Sequence, residues 1–276
     1  MPEFLTYNFM QRAFIIGNII ALIAPLIGVF LILRRLALIG NTISHVALAG
    51  IALGLFLGIY PVYMAILVSV VAALGIEKLR NSYQDYAELS LSVILASGLG
   101  LATILISLSS NSSGIMSYLF GSITLVNRQD IYLIVPLGIV IVSLLVKYYY
   151  GFFYISFNER EARLAGVPVS LLNFIFMFII SITISISVRV IGALLIASLI
   201  SLPVAAAIQI ARSFKQTIIF SIIIALISVN TGLIVSFYCN LAPGGTIILT
   251  NVVWLLFILL YKGINKKTGR KRWNYG

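Results

Sequence analysis

The sequence predicts an all-α protein: a polytopic bundle of about eight or nine transmembrane helices that forms one domain over residues 1–276. Hydrophobic residues make up 61% of the chain and charged residues only 9%, whereas a soluble globular domain carries about 25% charged residues. Apolar runs such as FIIGNIIALIAPLIGVFLIL reach the length of a membrane-crossing helix. They do not alternate between apolar and polar positions, so helices are favoured over the strands of a membrane barrel.

Nine apolar runs follow one another along the chain. They lie near 13–33, 36–58, 61–77, 89–108, 131–150, 170–188, 190–211, 217–238 and 246–261. The segment 115–130 is too short and too polar to span, and it is predicted to be a re-entrant or interfacial piece. The first apolar run is long enough to span the membrane, and the sequence shows no short apolar run followed by a small-residue cleavage site. We therefore expect this segment to stay in the protein rather than to be removed as a signal peptide.

The distribution of lysine and arginine predicts the orientation. With the N-terminus outside, 15 of the 18 basic residues fall on the cytoplasmic side, and only Arg12, Arg128 and Arg189 fall outside. This bias follows the positive-inside rule and explains the net charge of +11 without a nucleic-acid partner. The basic cytoplasmic tail, 262–276, is interpreted as an anchor near anionic membrane lipid.

Acidic residues are few, and each falls at or near the end of an apolar run. They are Glu3, Glu77, Asp85, Glu88, Asp130, Glu159 and Glu161. The lack of a carboxylate in the middle of a span disfavours a proton- or sodium-coupled carrier without excluding it. The sequence has no GxxxxGK[ST] phosphate loop, and one histidine cannot form an HExxH zinc site. We therefore expect a protein that is not itself an enzyme, with energy from a partner or a gradient.

His45 is the one ionisable residue predicted deep in the membrane. In LIGNTISHVALAGIALG, Asn41 and His45 stand four residues apart on one helical face, with Ser44 beside them. An amide oxygen and an imidazole nitrogen can converge there as half of a metal site, and imidazole suits zinc, manganese or iron. The alternative is a structural histidine that donates an interhelical hydrogen bond. The metal-site interpretation is preferred because ionisable groups inside membranes are usually functional.

The longest polar connection, about 155–169, contains a predicted short helix. The run Glu159, Arg160, Glu161, Ala162 and Arg163 is predicted to be helical and exposed, ending at Gly166. It is either a solvated connector or a docking helix for a cytosolic partner. In the second apolar run, glycines recur every fourth residue from Gly50, which is sufficiently explained by helix packing within the chain.

Several segments together resemble the metal-type permease family of ABC transporters, the membrane subunits of bacterial zinc, manganese and iron importers. They are LILRRLALIGNTISHVALAGIALG, YLFGSI, EREARLAGV, VIGALLIASLISLPVAAA and LAPGGTIIL. The resemblance implies a multi-pass protein of the bacterial plasma membrane that works as a homodimer. It also implies a cytosolic ATP-binding subunit that hydrolyses ATP, and an extracellular solute-binding protein that delivers the metal.

By this resemblance, the metal-contacting positions map onto Asn41 and His45, and the docking helix maps onto Glu159 to Gly166. The family usually has an aspartate where this chain has Asn41, so the site loses a full negative charge. A weaker transit site is the preferred explanation; a different ion preference or a different set of binding groups are the others. Zinc is ranked first, manganese second and iron third, as transported ions rather than permanently bound cofactors.

Three other functions stay open from the sequence. A permease for metal chelates of the cobalamin or siderophore type would need no metal-ligating side chain. A non-transporting membrane scaffold would use the histidine structurally. A stand-alone secondary carrier would be driven by an ion gradient.

Overall fold

The computed structural model describes residues 6–82, 87–108 and 112–270, and it confirms the all-α class. In these ranges twelve helices follow one another: α1 Asn8–Leu33, α2 Ala37–Leu57, α3 Pro61–Ser82, α4 Ala87–Leu108, α5 Ser112–Phe120, α6 Arg128–Lys147, α7 Tyr149–Phe157, α8 Glu159–Leu164, α9 Val169–Ile191, α10 Ile196–Ile210, α11 Phe214–Cys239 and α12 Pro243–Arg270.

Eight of the described helices are long and apolar enough to cross a membrane: α1, α2, α3, α4, α6, α9, α11 and α12. The apolar run at 190–211 instead contains a shorter apolar helix, which falls below the length of these eight. Helix α9 continues to Ile191, the chain turns at Gly192 with φ +96°, and α10 has only 15 residues. At 1.5 Å per residue, α10 is roughly 22 Å long, short of a hydrocarbon core of about 30 Å.

The segment 115–130 is divided between two elements. Its first part lies in α5, which has nine residues and is too short to span, as predicted. Its last residues open the spanning helix α6, where Asn127 and Asp130 form a capping box. The predicted boundary of that span, at residue 131, is therefore three residues too late.

Helix α9 lies at the centre of the bundle. Eighteen of its 23 residues are buried, and it contacts α1, α2, α3, α6, α10 and α12. Around it α2 packs against α3 and α4, while α1 packs against α10 and α11, which in turn pack against α12.

The predicted glycine stripe of α2 serves packing within the chain. A Cβ atom at Gly50 would lie 2.7 Å from the Cα of Ala65, and one at Gly54 would lie 2.8 Å from the Cα of Pro61. The absence of side chains at these two positions therefore lets the backbones of α2 and α3 approach closely.

The ends of the spans define two faces of the bundle. We call the face that carries α8, the C-terminal end of α1 and the start of α9 the α8 face. The opposite face, with α5, the start of α6 and the end of α9, is the α5 face. The predicted basic tail, 262–276, lies outside the described residues beyond Arg270, and outside the described side chains beyond Lys262.

Candidate functional site

Helix α2 has one narrow stripe that the rest of the chain does not cover. From Ile39 to Ala52 every residue is buried except Asn41 and His45. One turn before Asn41, Leu38 is 55% exposed. Because residues three and four apart share a helical face, these three side chains form one stripe, which we call the α2 seam. The two residues predicted to contact metal thus lie together where α2 is open.

His45 lies near the middle of its helix, as expected. It comes eight residues after Ala37, roughly 12 Å along a helix of about 31 Å. Its Nδ1 atom is buried and has no hydrogen-bond partner among the described residues. A buried polar atom without a partner costs about 1–3 kcal/mol. The residue as a whole is partly exposed at the seam, so the rest of the imidazole can be reached by a group from outside the chain.

Ser44 does not belong to the seam although it is next to His45 in the sequence. Its side chain is buried, and Oγ donates a hydrogen bond to the backbone oxygen of Asn41 at 2.7 Å. The hydroxyl is thus engaged within α2.

A cavity of about 210 Å³ adjoins Asn41 at the seam. It is bounded by the end of α1, the start of α2 and one face of α10, and its lining includes Ser198 and Ser201. The Ser201 hydroxyl donates to the backbone oxygen of Ala197 at 2.9 Å and keeps lone pairs that can accept. The cavity, whose other lining residues are apolar, therefore places two serines of α10 near Asn41.

In residues 6–82, 87–108 and 112–270, no three side chains of His, Cys, Asp or Glu are grouped closely enough to hold a metal ion. The seam of one copy offers one imidazole and one amide.

The predicted docking helix is present as α8 and has a defined signal at each end. The Asn158 side chain accepts hydrogen bonds from the backbone N–H groups of Arg160 and Glu161 at 3.0 and 3.3 Å, which caps the helix start. At the other end Gly166 has φ +81°, and the N–H of Val167 donates to the oxygen of Ala162 at 3.0 Å. This is the Schellman arrangement that terminates helices, and glycine fits it best.

The side chains of α8 are not equally available to a partner. Those of Arg160, Glu161 and Arg163 are exposed, and that of Glu159 is partly exposed. Ala162 is only 2% exposed, so the helix rests on it. Leu164, which is not among the predicted docking residues, is 88% exposed. An apolar side chain this exposed at the end of α8 is a stronger candidate for partner contact than Ala162.

A buried ion pair on the α5 face was missed by sequence reasoning. The Nε atom of Arg189, near the end of α9, lies 3.3 Å from Oδ2 of Asp130, and their side chains are 7% and 0% exposed. Tyr60 donates to Oδ1 of Asp130, and Arg189 donates to the hydroxyl of Tyr118. Arg189 also donates to the backbone oxygen of Leu125 at 2.7 Å. This cluster joins the α2–α3 turn, α5, the α5–α6 connection, α6 and α9.

The two tyrosines of this cluster stay protonated. Burial, and then the hydrogen bond to Asp130, raise the pKa of Tyr60 well above its ordinary value. Burial also raises the pKa of Tyr118. Both phenols are therefore neutral hydrogen-bonding groups at any physiological pH. The signals available in the sequence were an arginine in the last turn of an apolar span and an Asn-x-x-Asp pattern before the next, but neither indicates that the two residues meet.

Eight candidate spans and a polar, histidine-bearing seam inside the membrane-crossing region define a multi-pass membrane transport protein. The chain belongs to the ABC 3 transport family, whose model matches residues 6–262. This confirms the family predicted from the sequence.

Named relatives cover nearly the whole chain. It is 35% identical over 255 residues to the "Probable metal transport system membrane protein" of Treponema pallidum, covering 92% of this chain and 96% of the relative. It is 30% identical to the "High-affinity zinc uptake system membrane protein ZnuB" of Haemophilus influenzae, covering 92% and 97%. It is 26% identical to the "Manganese transport system membrane protein MntC" of Listeria monocytogenes, covering 92% and 91%.

A solved structure with the same fold is PsaBC from Streptococcus pneumoniae in complex with Fab. It superimposes with a TM-score of 0.83 at 28% identity, over 92% of each chain.

Proposed function

We propose that this chain is the membrane-spanning permease subunit of an ATP-driven importer of a divalent transition metal, zinc or manganese. The observation that carries the proposal is the α2 seam. In an otherwise buried stretch of α2, the two residues left open are an amide and an imidazole that can both ligate a metal.

A second copy of the chain would complete the site. Polar groups at membrane depth face other protein segments or water-filled paths rather than lipid. A twofold-related copy packed near the seam would bring two imidazoles and two amides to one point, which is four possible ligands. The homodimer thus serves both to cover the seam and to build the metal path.

Docking of an ATP-binding subunit on α8 would supply the energy. This helix is exposed, carries both signs of charge and ends in the exposed Leu164, and the chain itself has no phosphate loop. The charge count supports a cytoplasmic position for the α8 face. The α5 face then receives the metal from an extracellular solute-binding protein.

Ligand chemistry and the relatives point to the same small set of ions. Imidazole with neutral oxygen ligands favours zinc over manganese on ligand softness, and neither magnesium nor calcium is a natural match. Relatives are named for zinc uptake and for manganese transport, which supports both ions for this chain.

Ion-stimulated ATP hydrolysis tests this function. The permease is co-expressed with its ATP-binding subunit, purified as a complex, reconstituted into vesicles and supplied with the solute-binding protein loaded with Zn²⁺, Mn²⁺, Fe²⁺ or Ca²⁺. We expect Zn²⁺ or Mn²⁺ to stimulate hydrolysis and Ca²⁺ to have no effect, with the ATP-binding subunit alone as control. Failure of the two subunits to co-purify, or stimulation only by an intact metal chelate, would contradict the proposal.

A further inference from the structure

A line of three polar side chains connects α8 to the turn before α2. Arg34, directly after α1, donates from Nη2 to Oδ1 of Asn173 on α9 at 2.6 Å. Asn173 donates from Nδ2 to Oε1 of Glu159, the first residue of α8, at 3.5 Å. We call these three residues the Arg34 network. The hydrogen bond between Arg34 and Asn173 is short, whereas the one between Asn173 and Glu159 lies at the upper limit of length for a hydrogen bond.

The central residue of the network, Asn173, is almost fully buried. Asn173 is 3% exposed, so its amide depends on these partners to satisfy its hydrogen-bonding groups. The guanidinium of Arg34 also lies over the ring of Phe176, 5.2 Å from its centroid, which adds a cation–π attraction. Burial, and then the nearby Arg80, lower the pKa of Arg34 to about 10, so it remains charged at neutral pH. Arg34 is therefore fixed against α9 in one place.

Arg34 is also tied tightly to α2. Arg34, Arg35 and Leu36 are the whole connection between α1 and α2. The N–H of Leu36 donates to the oxygen of Leu31 at 2.8 Å, and Arg35 takes a left-handed conformation with φ 57°. A turn closed in this way is short and has little freedom. Displacement of Arg34 must consequently shift the first turns of α2, where Asn41 lies.

We infer that Asn173 is a positioning residue that couples the docking helix α8 to the α2 seam through Arg34. The inference rests on the proposed function, because it needs an ATP-binding subunit on α8 and a metal at the seam. In this role Asn173 touches neither the ion nor the ATP-binding subunit. It holds the end of α1 and the start of α8 to one point on the central helix, so a movement of α8 reaches the seam.

Asn173→Asp separates the two halves of this link. The carboxylate still accepts from Arg34, in a charge-assisted bond. It no longer donates to Glu159, and it places a second negative charge beside that residue. The variant should therefore keep the α1–α9 contact and lose the α9–α8 contact.

Glu159→Gln provides the partner for a double-mutant cycle. A glutamine amide at position 159 can donate to the carboxylate introduced at position 173, which restores a hydrogen bond with the donor and acceptor exchanged. If the contact between residues 159 and 173 carries the coupling, Asn173→Asp must impair coupled transport when residue 159 is glutamate. The same substitution must have little effect on coupled transport when residue 159 is glutamine.

The readout is the number of ions imported per ATP hydrolysed, measured with radioactive zinc or manganese in vesicles that hold the full complex. Against wild type, we expect Asn173→Asp to lower this ratio about five-fold or more, while the complex still co-purifies and hydrolyses ATP. In the Glu159→Gln background, the same substitution should change the ratio by less than about two-fold. Ser170→Asp, which adds the same charge at an exposed position one turn earlier, is the control and should behave as wild type.

The outcomes separate this inference from the proposed function. A ratio that is unchanged by Asn173→Asp, or that falls equally in both backgrounds, overturns the coupling role of Asn173 even if the wild-type complex transports metal. A wild-type complex without ATP-driven uptake overturns the proposed function itself. Hydrogen exchange at residues 34–41 gives a second readout that needs no transport: release of the ATP-binding subunit should speed exchange there in wild type but not in Asn173→Asp.

Discussion

The amide of Asn41 determines the electrostatics of the proposed metal site. A pair of copies would surround a divalent cation with two imidazoles and two amides, all neutral, so the positive charge would be stabilised by dipoles alone. The metal-type permeases that the sequence resembles usually carry an aspartate at this position. A neutral site binds more weakly and releases its ion more readily, which suits a transit site.

Asn41→Asp should therefore strengthen binding. In the proposed dimer the new carboxylates would add negative charge beside the cation in a low-dielectric setting, and we expect the Kd of this dimer for Zn²⁺ or Mn²⁺ to fall by about ten-fold or more. Isothermal titration of the detergent-solubilised dimer measures it. An affinity that is unchanged or weaker would show that Asn41 does not face the ion.

Substitutions at two neighbouring residues of α2, His45 and Ser44, compare the α2 seam with the buried face of the same helix. His45→Ala removes the imidazole from the open stripe and should abolish equilibrium binding of Zn²⁺. Ser44→Ala removes a hydroxyl that is engaged with the backbone of its own helix, and binding should stay within about two-fold of wild type, because such bonds are local. Equal loss in both variants would indicate damage to α2 rather than loss of a ligand.

Among the elements, α8 was the most predictable from sequence and α10 the least. The run from Glu159 to Arg163 and the following Gly166 carry a local helix signal and a local stop. The break before α10 carries only Arg189 and Gly192 as stop signals, and the apolar residues that continue after Gly192 led to the prediction of a further span at 190–211. Tertiary packing causes it: a Cβ atom at Gly192 would collide with the backbone of α5 at Leu119. Contacts between distant segments cannot be read from hydropathy.

Leu164→Asp tests α8 as the docking element. Leu164 is almost fully exposed, so the substitution should leave the permease fold intact while a charge replaces an apolar contact with the ATP-binding subunit. We expect the affinity between the subunits to fall at least about ten-fold, as for an interface anchor. Pull-down and size-exclusion chromatography measure it. Unchanged co-purification, with normal thermal unfolding of the permease, would place docking elsewhere.

At the scale of the whole molecule, the two faces are stabilised by different polar arrangements. The α5 face holds the buried Asp130–Arg189 pair, which ties together segments far apart in sequence. The α8 face holds the Arg34 network beside an exposed helix. The sequence predicted the class, the approximate spans and the seam residues, since hydropathy and a single deep histidine encode them. Both polar networks require the tertiary structure, since their members come from separate helices.

Loss of one partner of the buried ion pair should destabilise the whole bundle. Asp130→Asn leaves the Arg189 charge buried without a counter-charge, a change that costs about 3–5 kcal/mol. The double variant Asp130→Asn/Arg189→Gln removes both charges and should recover part of this loss. Thermal unfolding in detergent compares the variants, and equal midpoints for wild type and Asp130→Asn would contradict the structural role of the pair.

ATP-driven uptake of radioactive zinc or manganese into vesicles is the decisive measurement of the proposed transport function. The vesicles contain the permease, its ATP-binding subunit and the loaded solute-binding protein. The wild-type permease should import one of these ions only when ATP is present, and His45→Ala, with the complex still assembled, should import none. Uptake without ATP would contradict the proposed ATP-driven transport, and normal uptake by His45→Ala would contradict the metal site at the α2 seam.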